Sequence, residues 1–340
     1  MKRKSSLIRR LIFLAIIVIF IWYIFSHHAE FNKFVNALMQ GSWRWLILAA
    51  LIQVAYFCIF ALMTQAAFRT VHLRRKFLDL LPLVFGAIFV NVLAPTAGQT
   101  GTILYADDAV KRKESSPKAI IANIIATIIS YSAFSFILIF SLFYLKRVNL
   151  LNNYEVIGSI IFIFPTIIPG ILIFTSYKYP RLTNKFLNWI YQLIIKVSKL
   201  IKRPAKLTAD WPKKISDDLA GAAFLVSKNK KHLLVTLAYA LVAHATNIIS
   251  LFVIFVAFDF RIHYGALIAG YAFGEVARVI SPHPEGVGVV EAVMAVLFAS
   301  FGVPPIRATA ISIVFRGFNF WIPLGLGFAF LKRLKTFSSK

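Results

Sequence analysis

Carboxylates are scarce in this sequence. Its 340 residues hold 13 Asp and Glu against 38 Lys and Arg, and charged side chains make up only 15% of the chain. Soluble domains carry about a quarter. With 59% hydrophobic residues and a mean hydropathy of +0.76, the chain reads as an all-α polytopic integral membrane protein. Cysteine occurs once, at Cys58, which excludes an intrachain disulfide and a thiolate metal cluster. Lying in an apolar stretch, it reads as a small buried side chain. No small-residue cleavage site follows the first apolar run, Leu11 to Phe25, so that run is expected to be a signal anchor. No nucleophile stands with a base and an orienting acid, so no catalytic residue is assigned. The net charge of +25 does not point to nucleic acid. The basic residues lie in loops flanking apolar spans, where they set topology and meet anionic lipid.

What the chain has instead is apolar length. Six stretches, about 7–26, 45–68, 118–145, 156–177, 233–258 and 306–331, approach the ~20 residues needed to cross ~30 Å of hydrocarbon. Between them lie two stretches, 78–106 and 264–301, that are broken at their centres. Their cores read NVLAPTAGQTG, Asn91 to Gly101, and RVISPHPEGVG, Arg278 to Gly288. In each, a polar residue lies four before a proline and a glycine six after it. A bilayer tolerates broken backbone only where protein or a watery cavity surrounds it, and paired breaks mark transport sites. The second stretch is long enough for two short spans or one hairpin.

Charge selects the hairpin reading. If both broken stretches enter and leave on one side, thirty of the 38 Lys and Arg fall on one face and six on the other. That split puts both termini in the cytoplasm of a multi-pass protein of the cell membrane. The segments at about 45–145 and 233–331 then have the same order of elements and opposite orientation, an inverted repeat within a single transmembrane domain. The loop between them, 178–232, is not read as a domain. Phe186, Trp189, Ile190, Leu193, Ile194, Val197 and Ile201 fall at helical spacing among Lys185, Lys196, Lys199, Lys202 and Arg203. This is either a helix lying on the headgroups or a solvated linker, and the apolar stripe favours the first. A second, weaker helix is expected over 213–229.

Four charged residues fall inside the expected membrane: Glu275, Arg278, Glu291 and Arg316. Each costs roughly 2.5–3.5 kcal/mol on insertion scales, so none is expected to face lipid. Glu275 and Arg278 share a helix face, and Glu291 opens a half-helix after Gly286 and Gly288, where the dipole favours a carboxylate. Two readings fit. In one, the four neutralise one another and fix packing. Alternatively, Arg278 or Arg316 meets an anionic headgroup while Glu275 or Glu291 meets a cationic group or holds an arginine in place. Asn91, Gln99 and Thr100 add neutral hydrogen-bonding groups at the first break, and glycines after Pro95 and Pro282 free backbone N–H groups for a phosphate oxygen. The string GVGVVE lacks the third glycine and strand–helix setting of a dinucleotide site. His283 and Glu285 lack a third ligand, so no metal or other cofactor is expected. His27 and His28 read as solvated. His244 and Asn247 share a face and read as interhelical hydrogen-bonding groups.

The segment from Ser281 to Phe330 resembles the signature of the lysylphosphatidylglycerol synthase transmembrane, flippase-like family. The resemblance rests on Pro282, Gly286, Gly288, Glu291, the turn Gly302 to Pro304, Arg316, Trp321, Pro323 and Gly327. Upstream, Ala94 to Gly101 is similar to the family's first Pro–Gly turn. It departs from the pattern in having Gln99 and TILYA where an acidic residue and an arginine usually follow. The resemblance implies a domain that moves aminoacylated or otherwise modified phospholipid between leaflets, without a cofactor. In bifunctional members this domain is fused to a soluble lysyltransferase. Here nine residues follow the last span, so a synthase is expected only as a separate partner. The other readings left open are a membrane component of lysyl-lipid synthesis and a transporter of another amphiphile. Headgroup contacts are expected at Arg278, Arg316, Glu275, Glu291, Gly286, Gly288, Gln99, Thr100 and Asn91.

Overall fold

The computed structural model describes residues 28–93, 101–200, 208–281 and 283–331, and all regular structure among them is helical. The first expected span, Pro95, Gln99, Thr100, Pro282, and residues 201–207 and 332–340 lie outside the described residues. Twelve α-helices follow in order: α1 His28–Leu38, α2 Trp43–Thr70, α3 Phe77–Leu93, α4 Thr102–Lys111, α5 Ser116–Arg147, α6 Asn153–Lys178, α7 Pro180–Leu200, α8 Trp211–Lys228, α9 Lys230–Ala257, α10 Tyr264–Ile280, α11 Val289–Ser300 and α12 Pro305–Leu331.

Among these, α2, α5, α9 and α12 are long and apolar enough to cross a bilayer, and α6 runs without interruption for 26 residues. The chain is a multi-pass membrane protein. Local chemistry sets the helix ends. Asn152 and Glu155 form a reciprocal capping box at the start of α6, with Asn152 N donating to Glu155 Oε2 at 3.0 Å. The His263 side chain accepts the Gly265 N–H at 3.1 Å to begin α10.

Each broken stretch forms two unequal arms. In the first, α3 has 17 residues and α4 has 10; in the second, α10 has 17 and α11 has 12. At 1.5 Å per residue the longer arms reach about 25 Å and the shorter ones about 15–18 Å, all below the ~30 Å of a hydrocarbon core. The first pair extends to Lys111, five residues beyond the expected end, because no helix breaker stands between Gly101 and Arg112.

Packing relates the halves. Among the described helices, α2 and α9 form the most extensive interface. Small residues permit the close approach: Ala49, Ala61, Ala67, Ala240 and Ala243 are buried, and Ser250 Oγ donates to Ala49 O at 3.1 Å. Across this seam each hairpin lies on the last helix of the other half, α3 on α12 and α10 on α5. Within each half the second arm packs on that half's own last helix, α4 on α5 and α11 on α12. Gly274 lets α11 close onto α10, since a Cβ there would lie 2.8 Å from Met294 Cγ.

The 178–232 segment forms α7 and α8, which pack on each other and on α6. Leu182, Phe186, Trp189 and Leu193 make an exposed stripe along α7, while Thr183 and Leu187 are buried beneath it. The weaker expected helix appears as α8. Cys58 is half-buried rather than buried, because its part of α2 is not fully covered by other helices.

Candidate functional site

The site is built where the second hairpin breaks. Arg278 occupies the last turn of α10, one turn after Glu275, and its Nε and Nη2 donate to Glu275 Oε2 at 3.0 and 2.8 Å. The helix then ends and the chain reverses through Pro284–Gly286, with Glu285, Gly286 and Gly288 all at positive φ (52°, 72° and 82°). Gly286 is also sterically required: a Cβ there would lie 2.9 Å from Arg278 Cα. Glu285 has a side chain in this left-handed region, which costs roughly 1 kcal/mol or more. Contacts at both ends of the residue oppose that cost. Its Oε2 accepts from Arg278 Nη1 at 3.1 Å, and its backbone carbonyl accepts from Arg316 Nη2.

Arg316 comes from α12 and is only 5% exposed. Its guanidinium lies over the Phe320 ring at 5.0 Å. Its Nε is 3.8 Å from Glu291 Oε1, close enough for Coulomb attraction but too far for a hydrogen bond. Arg316 Nε and Glu291 Oε2 are both buried without a hydrogen-bond partner. Glu291 stands in the first turn of α11, near the positive end of the helix dipole. The cluster therefore contains three carboxylates and two guanidinium groups.

The first hairpin forms the facing wall. Asn91, in the last turn of α3, accepts the Gly101 N–H at 2.6 Å, and Asn123 Nδ2 of α5 donates to Thr102 Oγ1 at 2.9 Å. Between the walls lies a cavity of about 200 Å³. Glu275, Arg278, Glu285 and Arg316 line it, together with Asn91, Thr102, Asn123, Ser130, Tyr56 and Tyr131. Pockets for whole drug-sized ligands run about 300–1,000 Å³. This one has room for a polar headgroup but not for acyl chains.

Of the residues singled out from the sequence, Arg278, Arg316, Glu275 and Asn91 line the cavity. Glu291 is beside it, paired with Arg316. Gly286 and Gly288 shape the turn, while Gln99 and Thr100 lie outside the described residues. His244 bridges helices, with Nδ1 2.7 Å from Tyr271 Oη and Nε2 3.2 Å from Ser130 O. His28 is exposed, as is His283. Among the described residues no three His, Cys, Asp or Glu side chains converge as a metal site.

Two features escaped the sequence reading. Sequence places Glu285 only beside His283, yet its carboxylate goes to Arg278. Its place between proline and glycine was the available signal. The second is an ion cluster at the open end of the first hairpin. Arg75, just before α3, is 5% exposed, bonds Asp108 of α4 and sits 2.7 Å from Glu114 Oε2. Arg112 joins through Asp108 at 2.8 Å and Asp79 at 3.3 Å. Arg75 with Asp108 and Glu114, and Arg112 with Asp79, are too distant in sequence for spacing to reveal; Asp108 and Arg112, four apart, are the exception.

Comparison with known proteins agrees with this architecture. A family model described as "Lysylphosphatidylglycerol synthase TM region" matches residues 10–327. A UPF0104 membrane protein of Pyrococcus horikoshii is 22% identical over 92% of this chain and 92% of its own length. A second, from Methanocaldococcus jannaschii, is 22% identical over 96% of this chain and 95% of its own.

Proposed function

Starting from the family to which this chain belongs, that of lysylphosphatidylglycerol synthase TM regions, we propose that it carries phospholipid headgroups between leaflets. The observation that carries this reading is the mixed-charge cavity between two broken hairpins. Glu275, Arg278, Glu285 and Arg316 face it in a chain that is otherwise mostly apolar. Charges inside a membrane protein are costly and collect along substrate paths. A headgroup occupies the cavity while its acyl chains remain in the bilayer.

Charge suggests the class of headgroup. Guanidinium groups suit a phosphate, and the excess carboxylate suits an amino group. An aminoacylated phospholipid carries both. The reciprocal packing of α3 on α12 and α10 on α5 supports two inverted units that exchange access about a fixed site. The charge distribution supports cytoplasmic termini and residence in the cell membrane.

The test is leaflet exchange in reconstituted vesicles, with lysyl-phosphatidylglycerol and unmodified phosphatidylglycerol as labelled probes. The native chain is expected to accelerate exchange, and Arg278→Ala and Arg316→Ala to reduce it by tenfold or more. Unchanged movement in both variants overturns the reading.

A further inference from the structure

We propose that Glu291 binds a proton and that this proton releases Arg316 to a lipid phosphate, so that one proton is taken up with each phosphate bound. The inference rests on the headgroup reading above and adds to it a coupling ion and its binding group.

The geometry singles out this pair. Arg278 is engaged on two sides, by Glu275 and by Glu285, at 2.8–3.1 Å. Arg316 is held by the backbone carbonyl of Glu285, which carries no charge. Its one carboxylate partner, Glu291, stands off at 3.8 Å, and each of the two has a buried polar atom without a hydrogen bond. Glu291 is thus the most weakly held of the three carboxylates, and Arg316 is a buried cation on the cavity wall whose Nε, itself sealed from the cavity, has no hydrogen-bond partner.

Charge balance makes the two events one. With all five groups ionised the cluster carries one net negative charge. A phosphodiester entering beside Arg316 would add a second in a region where each uncompensated charge costs several kcal/mol. Protonation converts the Glu291 carboxylate to a neutral acid, COO⁻ plus H⁺ giving COOH, with no other bond changed. The remaining four groups are then neutral in sum. Arg316 no longer has a carboxylate to neutralise it, and the phosphate takes that place. By linkage, what favours the proton favours the phosphate, and the reverse.

Other groups on the surrounding elements do not replace Glu291 in this role. Glu275 and Arg278 of α10 and Glu285 of the turn satisfy one another. His283 is exposed, and Lys33 of α1 lies in a groove beside Pro305 and Thr309, at the far end of α12. Also on α1, Glu30 opens its first turn. α3 presents Asn91, which is not titratable. From α2 and α9 come Tyr56 and His244, and both ring nitrogens of His244 are already occupied by Tyr271 and Ser130.

The test uses the full chain in detergent with dihexanoyl-phosphatidylglycerol as probe. Calorimetric titration in buffers of different ionisation enthalpy, from pH 5 to 8, counts the protons taken up. The native chain is expected to take up about one proton per probe, and its affinity to fall about tenfold per pH unit wherever that proton is taken up. Glu291→Gln, a neutral isostere, should bind at every pH with no proton uptake, and Arg316→Gln should bind at least tenfold more weakly. Thermal unfolding of both variants checks that they are folded. Native binding without proton uptake, a native pH slope in Glu291→Gln, loss of that slope in His244→Gln alone, or no binding at any pH each overturns the proposal. Proton-linked binding without leaflet exchange would instead sink the transport reading and leave this one standing.

Discussion

The side-chain oxygen of Asn91 accepts the backbone N–H of Gly101 at 2.6 Å and so joins the two arms of the first hairpin across their break. In the second hairpin Arg278 ties the end of α10 to the turn instead, reaching the Glu285 carboxylate at 3.1 Å. Both residues stand four before a proline, in the two short segments whose likeness is visible in the sequence. Asn91 thus has a structural reason to be there: a broken helix leaves backbone groups unpaired, and a nearby side chain must satisfy them. Asn91→Leu removes the acceptor while keeping the volume. It is expected to lower stability by about 1–3 kcal/mol, the penalty for an unsatisfied buried donor, read as a lower midpoint of thermal unfolding in detergent. An unchanged midpoint would show that another group satisfies the Gly101 N–H.

The glycines of the second turn should not respond alike. Gly286 and Gly288 both have positive φ, so alanine at either costs about 1–2 kcal/mol from backbone strain. At Gly288 an added Cβ meets nothing within 4 Å, but at Gly286 it would lie 2.9 Å from Arg278 Cα. Backbone does not step aside as a side-chain tip does. Gly286→Ala should therefore be the more damaging by roughly 1–3 kcal/mol, and should also displace Arg278. Unfolding midpoints for the two variants, with headgroup binding measured beside them, test the order. Equal losses would mean that the turn adjusts freely.

Much of this was legible in the sequence because it is local. Long apolar runs gave α2, α5, α9 and α12, Pro and Gly gave the breaks, and helical spacing predicted both the Glu275–Arg278 pair and the stripe on α7. What escaped depends on distant partners. Gln53 Nε2 donates to Asn319 Oδ1 at 2.8 Å across 266 residues, and Arg75 finds Asp108 across 33. No spacing rule connects such pairs. Arg75 was counted only as a loop charge that sets topology, yet it is buried. Glu285 escaped for a different reason: its backbone conformation, which neighbouring prolines and glycines permit but do not require, aims its two ends at different arginines.

The Arg75 cluster makes a prediction of its own. Removing one member of a buried ion pair leaves the other uncompensated and typically costs 3–5 kcal/mol, whereas replacing both with apolar groups of similar size can be nearly neutral. Arg75→Met should therefore destabilise strongly, since Asp108, itself 3% exposed, would keep only Arg112. Asp108→Leu leaves Arg75 with Glu114 as its remaining carboxylate partner. The double variant should recover much of either loss. Unfolding free energies for the two single variants and the double give the coupling directly. Simple additivity would show that the pair does not clamp the hairpin.

The orientation of the hairpins can be read chemically, because the chain has only Cys58 to remove. In a Cys58→Ser background, single cysteines at Lys118 and Tyr264, both exposed, report the entrances of the first and second hairpins. If the hairpins enter from opposite sides, a membrane-impermeant maleimide added to intact cells should label the cysteine at 264 and not the one at 118. Opening the cells should make the second reactive. The expectation follows from the charge asymmetry: Lys118, in the first turn of α5, follows Lys111, Arg112 and Lys113, while the loop before Tyr264 holds only Arg261 among Lys and Arg. Labelling of both positions in intact cells would place the two entrances on one side. The halves could not then be inverted copies, and a site between them could not alternate its access by exchanging their conformations.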